Sequence, residues 1–459
     1  MKFSYLRNII CIAATISITL TVGCSIEKPV PKEVGITKEY KELAPTNEKT
    51  DFSYRDISSK AEKTVATAKS SDELAVIDKK ESYYEVILDL EKGSHYNVGK
   101  AYGEAILQIF PQYVSVAEQC LYKNTQGMFK GTKANYNFLQ ERLDAVIPQI
   151  PSDYVDEING FADAIAGSEI SFADDGKLSR EEIFTLNLIP DILRGTQCSG
   201  MAAFGNKSQT GSTITGRILE WNFGSEKQMT SIHSVVTFKN SHKTITTIGF
   251  LGLFDVITAI NDNGVFLGIL DANTGEPFEA TDKKCYSFEI RTALENYSTA
   301  KEVAEYSNSL SSEYTFSHNL LITDNKSAFV AENCVSGGKA GIRTFQSKLV
   351  DGLKWDNPDS LCVVNGYALE GNFDNLTSNR HNTIRWKKFN ERLMKYDRVN
   401  AADVKDILTV DDPNKPGSNI YSNYTIQTII YDALSGSLDV AFTQPTGEFP
   451  KKPVFVKVR

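Results

Sequence analysis

One thiol stands among the residues best suited to acyl chemistry. Cys198-Ser199-Gly200 is followed by a short polar interruption around Lys207 to Gly211, then by Gly216-Arg217-Ile218-Leu219-Glu220-Trp221-Asn222. That order places a nucleophile, a turn, a cation, an acid and an amide within one stretch of chain. A cysteine accepts an acyl group only as thiolate, so it needs a base or a neighbouring cation. None of the five histidines, His95, His233, His242, His318 and His381, is near Cys198 in sequence, although one could approach it in space. The alternative base is the amino group of Cys198 itself, whose pKa of about 7.7 to 8.0 suits proton transfer near neutral pH. That amine exists only if the Gln197–Cys198 bond is cut.

The elements that must position these residues change character at Cys198. Before it, Tyr84, Val86, Leu88 and Leu90 alternate as in a half-buried strand, and helices follow. Val98, Tyr102, Ile106 and Phe110 form one helical stripe, and Val155, Ile158, Ala162 and Ile165 form another behind Ser152. Ser179 with Glu182 reads as a capping box opening a third helix, which Pro190 ends or kinks. After Cys198 the pattern predicts strands over 213–217, 234–238, 244–250, 264–270, 319–323, 328–332 and 361–365, with a closing hairpin over 424–432 and 438–442. Two helices interrupt them, over 286–296 and from Ala300 to about Leu310 behind a Thr299 and Glu302 capping box. Strands in two runs with inserted helices predict layered sheets covered by helices, an α+β fold.

Composition bounds the setting. Lys2 and Arg7 precede an apolar stretch from Ile9 to Val22 that is short for a bilayer span, and Gly23-Cys24 closes it. The segment resembles a bacterial lipoprotein signal, with Leu20 one place further upstream than the usual pattern. Cleavage there would leave Cys24 as a lipidated N-terminus, whereas an ordinary cleaved signal would leave none; both readings take the chain out of the cytoplasm. Residues 25–80, rich in Lys, Glu, Ser and Thr with Pro29, Pro31 and Pro45 near the front, read as a flexible tether with a helical piece near Lys60 to Lys69. A formal net charge of -9 argues against nucleic acid as a partner. With Cys11 removed and Cys24 lipidated, Cys120, Cys198, Cys285, Cys334 and Cys362 remain, without CxxC pairs or a histidine cluster, so neither a metal nor a cofactor is expected.

Further words extend the pattern from about Tyr84 to the C-terminus: Gly93-Ser94-His95-Tyr96 with Gly99 and Gly103, Asn187 ahead of Cys198-Ser199, and Ala259-Ile260-Asn261-Asp262-Asn263-Gly264. Arg291-Thr292-Ala293-Leu294-Glu295, Asp324, Glu332, Val364-Asn365, and Arg380 followed by Arg385 complete the series. In order and spacing the chain resembles the N-terminal-nucleophile hydrolases grouped around choloylglycine hydrolase, penicillin V acylase and acyl-CoA:6-aminopenicillanate acyltransferase, most closely the acyltransferase branch. The resemblance implies a four-layer αββα sandwich (198–459) preceded by a mainly helical pro-segment (81–197), with residues 1–24 as signal. It implies self-cleavage between Gln197 and Cys198, with Cys198 as nucleophile for both reactions and its freed amine as base. Arg217 would favour the thiolate, Glu220 would take the place of an aspartate that orients the amine, Asn365 would donate into the oxyanion hole, and Arg380 would correspond to a distal organising arginine, with Arg385 close behind.

Two positions depart from that pattern. Glu220 is one methylene longer than the aspartate. Asp271 falls where bile-salt hydrolases place an oxyanion-hole asparagine, and Asn273 or backbone groups would have to substitute. Both argue against bile salts and leave a small N-acyl amide as the expected substrate, hydrolysed or used for acyl transfer. Trp221, Phe223, Phe250 and Phe254 would line an acyl pocket or belong to the core. By themselves, Arg217 and Glu220 also fit a strand-end ion pair and Asn365 a turn. Two rivals follow: a catalytically silent surface-binding lipoprotein of this fold, and a cysteine peptidase using His95 or His381 without self-cleavage.

Overall fold

The computed structural model of the chain describes residues 58–129, 136–194, 197–221, 227–272, 274, 278–335, 340–372, 376–409, 420–444 and 453–459. Cys24 and most of the expected tether lie outside the described residues, as do Asn273 and Phe223. In chain order the elements are β1 (Ala66–Lys69), β2 (Ala75–Lys79), β3 (Tyr84–Asp89), α1 (His95–Ile109), α2 (Tyr113–Phe129), α3 (Asn137–Val146), α4 (Ser152–Ile165), α5 (Arg180–Asn187) and α6 (Ile189–Ile192). Then come β4 (Gln197–Ala203), β5 (Ile214–Glu220), β6 (His233–Lys239), β7 (Ile245–Phe250), β8 (Thr258–Asn261), β9 (Phe266–Asp271), α7 (Tyr286–Asn296), α8 (Ala300–Ser309), β10 (His318–Thr323), β11 (Ala328–Asn333), β12 (Gly341–Arg343) and β13 (Ser360–Val363). The chain closes with α9 (Arg380–Leu393), α10 (Ala401–Thr409), β14 (Thr425–Asp432), β15 (Ser437–Phe442) and β16 (Phe455–Lys457).

Among the described residues the strands form a ten-stranded sheet, in the order β1-β2-β3-β6-β7-β8-β9-β10-β11-β12, and a six-stranded sheet, β13-β4-β5-β14-β15-β16. The two pack face to face. Thr215 Oγ1 on β5 meets Thr323 Oγ1 on β10 at 2.7 Å, and Gly200 on β4 faces the Leu321 side chain. Helices α1, α7 and α8 cover the outer face of the larger sheet, with α4 against α1, while α9 and α10 cover the smaller one. The result is the four-layer αββα sandwich that the resemblance implies. Strands covered on both faces carry continuous apolar or small polar runs rather than alternation; all seven residues of β5 and all six of β10 are buried.

The tether expectation fails over its last part. β1 and β2 are strands, not linker or helix, and β2 pairs with β3 in register Ile77↔Val86. Leu74, Ala75 and Ile77 are buried beside Tyr84, Val86 and Leu88, so this short apolar stretch finds a face to bury even though the surrounding composition is polar. The segment before Cys198 therefore contributes three strands as well as its helices. Both anticipated capping boxes are formed, at Ser179 with Glu182 and at Thr299 with Glu302. Pro190 falls inside α6, one short turn after α5 ends.

Helices α1 and α4 cross at backbone contact distance. A Cβ on Gly160 would lie 1.9 Å from the Tyr96 carbonyl oxygen, and one on Gly99 would lie 1.9 Å from that of Glu157. Neither backbone can retreat without opening the layer over β2 and β3. Gly160→Ala is expected to destabilise the fold by about 3 kcal/mol, read as a lower urea midpoint at unchanged slope.

Candidate active site

Cys198 is the second residue of β4, in register with Leu219 on β5, and its side chain is fully buried between the sheets. The Gln197–Cys198 bond thus lies inside a strand paired to β5. Arg217 projects from β5 toward β9, where Gly268 makes room; a Cβ there would lie 2.6 Å from Arg217 Cδ. Its guanidinium donates to the carbonyls of Ile257 (2.7 Å) and Ile269 (2.6 Å) and directs Nη2 to Cys198 Sγ at 3.6 Å. Burial raises the Cys198 pKa, opposed by the Arg217 charge and by the Glu220 backbone amide. The same burial lowers the Arg217 pKa, opposed chiefly by Cys198.

The backbone of Cys198 is held on both sides. Its N–H donates to Asn365 Oδ1 at 2.9 Å, and its carbonyl accepts from Arg385 Nη1 at 2.8 Å. Asn365, just beyond β13, also accepts from Arg385 Nη2 at 2.9 Å through Oδ1, while its Nδ2 donates to the Asp271 carbonyl at 2.7 Å. Asn382 closes the circuit, donating to the Asn365 carbonyl at 2.5 Å and accepting from Arg385 Nη2 at 2.6 Å. Glu220, at the end of β5, lies 3.2 Å from Arg385 Nη1 through Oε2 and accepts a short hydrogen bond from the Ser422 hydroxyl through Oε1. Its extra methylene is thus taken up by contacts to Arg385 and Ser422. His381 Nε2 lies 4.0 Å from the Glu220 carboxylate.

Four of the five expected catalytic residues, Cys198, Arg217, Glu220 and Asn365, come together, and the fifth requires a correction. Arg380 is the first residue of α9 and is exposed, whereas Arg385 is fully buried in the site. Five residues along a helix turn the side chain by about 140°, onto the opposite face. Asn382 and Ser422 were not anticipated. Asn382 had a local signal, since it and Arg385 are three apart on one helix face; Ser422 had none, because it reaches Glu220 from 202 positions away.

Asp271 ends β9 with its carboxylate gripped by Arg194, at 3.1 Å from Nε and 2.7 Å from Nη2. Of the expected pocket aromatics, Trp221 and Phe250 meet edge to face at 6.3 Å. Phe254 instead packs with Tyr102 and Phe161 beneath the helices and is core. His95 is engaged with Glu157 at 2.6 Å, between α1 and α4. Cys120, Cys285, Cys334 and Cys362 are buried thiols, like Cys198.

No family model matches the chain, and neither does any curated protein. Among solved structures it is similar to a Caenorhabditis elegans ortholog of N-acylethanolamine-hydrolyzing acid amidase, at 16% identity and a TM-score of 0.36, over 51% of this chain and 93% of that one. A second is penicillin V acylase from Agrobacterium tumefaciens, at 10% identity and a TM-score of 0.35, over 57% and 86%. A third is a mutant of conjugated bile acid hydrolase from Clostridium perfringens, at 12% identity and a TM-score of 0.35, over 57% and 96%.

Proposed function

We propose that the protein is an amide hydrolase of the N-terminal-nucleophile type, activated by its own cleavage between Gln197 and Cys198 and acting on a small N-acyl amide. The observation that carries this reading is the setting of Cys198: a buried thiol with a guanidinium 3.6 Å from its sulfur and with its own nitrogen and oxygen both held by site residues. A merely structural cysteine needs none of these.

In the first reaction Cys198 Sγ adds to the Gln197 carbonyl carbon, the carbon–nitrogen bond breaks, and the thiol proton passes to the departing nitrogen. Water then hydrolyses the thioester, leaving a carboxylate on Gln197 and a free amine on Cys198. In the second, that amine takes the thiol proton, the thiolate adds to the acyl carbonyl of the substrate, and the amine returns the proton to the leaving group. Asn365 is the proposed oxyanion donor, and Arg385 holds both Asn365 and the nucleophile's backbone in place. Water resolves the acyl-enzyme; a second amine arriving first would yield acyl transfer. The proposal retains the lipid anchor at Cys24, facing outside the cytoplasm, on the strength of the Lys2 to Cys24 pattern.

The test is the intact mass of the purified full chain. A fragment from Cys198 to Arg459 is expected, absent in Cys198→Ala, together with amine release from N-acyl amides, N-acyl amino acids or penicillin V. A whole chain that still hydrolyses amides overturns the mechanism. A whole, inactive chain supports a silent binding protein instead.

A further inference from the structure

We propose that Arg194 is a positioning residue for cleavage at Gln197–Cys198, acting through Asp271. The inference rests on the self-cleavage reading and adds a part to it on the segment that is severed. Arg194 adopts φ 61°, a left-handed conformation that a non-glycine residue keeps only when its surroundings hold it there. What holds it is a fork of contacts. Nε and Nη2 grip Asp271 Oδ1, Nη1 donates to the Thr274 carbonyl at 2.6 Å, and Nη2 donates to Thr274 Oγ1 at 2.8 Å. The guanidinium also lies over the Phe316 ring, 4.9 Å from its centroid.

The residue that Arg194 grips belongs to the reaction centre. The Asp271 carbonyl accepts from Asn365 Nδ2, and Asn365 Oδ1 accepts from the Cys198 N–H. A closed circuit therefore runs from Arg194 through Asp271 and Asn365 to Cys198 and returns along the chain across the scissile bond. The circuit does two things. It ties the segment before the bond to the acceptor that fixes Cys198, so the Gln197 carbonyl is presented to a nucleophile held in the same frame. It also neutralises the carboxylate of Asp271, the residue whose carbonyl stands two hydrogen bonds from the Cys198 N–H, and an unpaired charge on that residue would oppose the oxyanion that forms on the Gln197 carbonyl. Once the bond is cut, Arg194 and Asp271 belong to different polypeptides and stay joined by these non-covalent contacts.

The test follows the first-order rate of cleavage of the full chain made in a cell-free reaction, with the melting temperature of each Cys198→Ala counterpart as the check on folding. Arg194→Gln is expected to slow cleavage at least about tenfold, and Arg194→Lys, which keeps the charge, to remain within about threefold of the parent. Arg194→Gln combined with Asp271→Asn is expected to recover to within about threefold of Asp271→Asn alone, because the charge to be neutralised is gone. Arg194→Gln that folds and is cut at the parental rate overturns the proposal, as does a double variant no faster than Arg194→Gln. A parental chain that is never cut overturns the self-cleavage reading itself, and is told apart because the parent then fails with the variants.

Discussion

Arg385→Met should slow cleavage of the chain and lower its melting temperature, whereas Arg380→Met should change neither. Arg385 is buried, donates to the Cys198 carbonyl and Asn365, and neutralises Glu220, itself buried. Removing it strands a carboxylate, and breaking a buried pair by deleting one partner costs about 3–5 kcal/mol. It also releases Asn365 and the nucleophile's backbone together, so cleavage should slow by about 100-fold or more. Arg380 is exposed at the start of α9, and substitutions of that kind stay within about 0.5 kcal/mol. Intact mass and thermal unfolding of the two variants, side by side, check the claim. Equal effects would return the distal-arginine role to Arg380.

Arg217→Met should have the other large effect. The Arg217 charge is the strongest opposition to the burial that pushes the Cys198 thiol up. Without that charge the thiol pKa rises further, so less thiolate is present at any given pH below that pKa. The sign is definite: the pH at which cleavage reaches half its maximal rate must move upward in the variant, and the rate near neutral pH should fall about 1000-fold. Initial cleavage rates across an alkaline series measure both quantities. A variant cut at the parental rate, with an unshifted profile, would show that Arg217 serves packing alone.

Much of the architecture was legible because local and long-range preferences agree. The helix over Tyr286–Asn296 matches its apolar pattern residue for residue, and both capping boxes mark their helices correctly. Central strands such as β10 were legible from β-branched and aliphatic runs bounded by turn residues. β1 and β2 were not. Averaged over residues 25–80, the polar composition conceals Leu74 to Ile77, whose burial depends on β3 and α1 being present. Within the site, Cys198, Arg217 and Glu220 lie on two neighbouring strands and share one short window of sequence. The choice between Arg380 and Arg385 required the start and phase of α9. Asn379 caps that helix by accepting from the Asn382 N–H, whereas Ser378-Asn379 alone reads as loop. The Arg194–Asp271 pair spans 77 positions and leaves no pattern along the chain.

The pairing of β3 with β6 is parallel, in register from Tyr84↔Ser234 to Asp89↔Lys239, and joins a strand from before the cut to one from after it. Severing the peptide bond at Gln197 would leave that ladder, and the helices over it, as the bond between two polypeptides. Cleaved protein should migrate as one particle in native sizing and as two under denaturation. Assembly, though, takes place while the pieces are still tethered, when chain closure is entropically cheap. Denatured fragments would face a bimolecular search instead, so recovery after unfolding should depend on concentration for the nicked form and not for Cys198→Ala. Maturation would then act as a ratchet: the protein is assembled as one molecule and afterwards persists as two that have no easy way back.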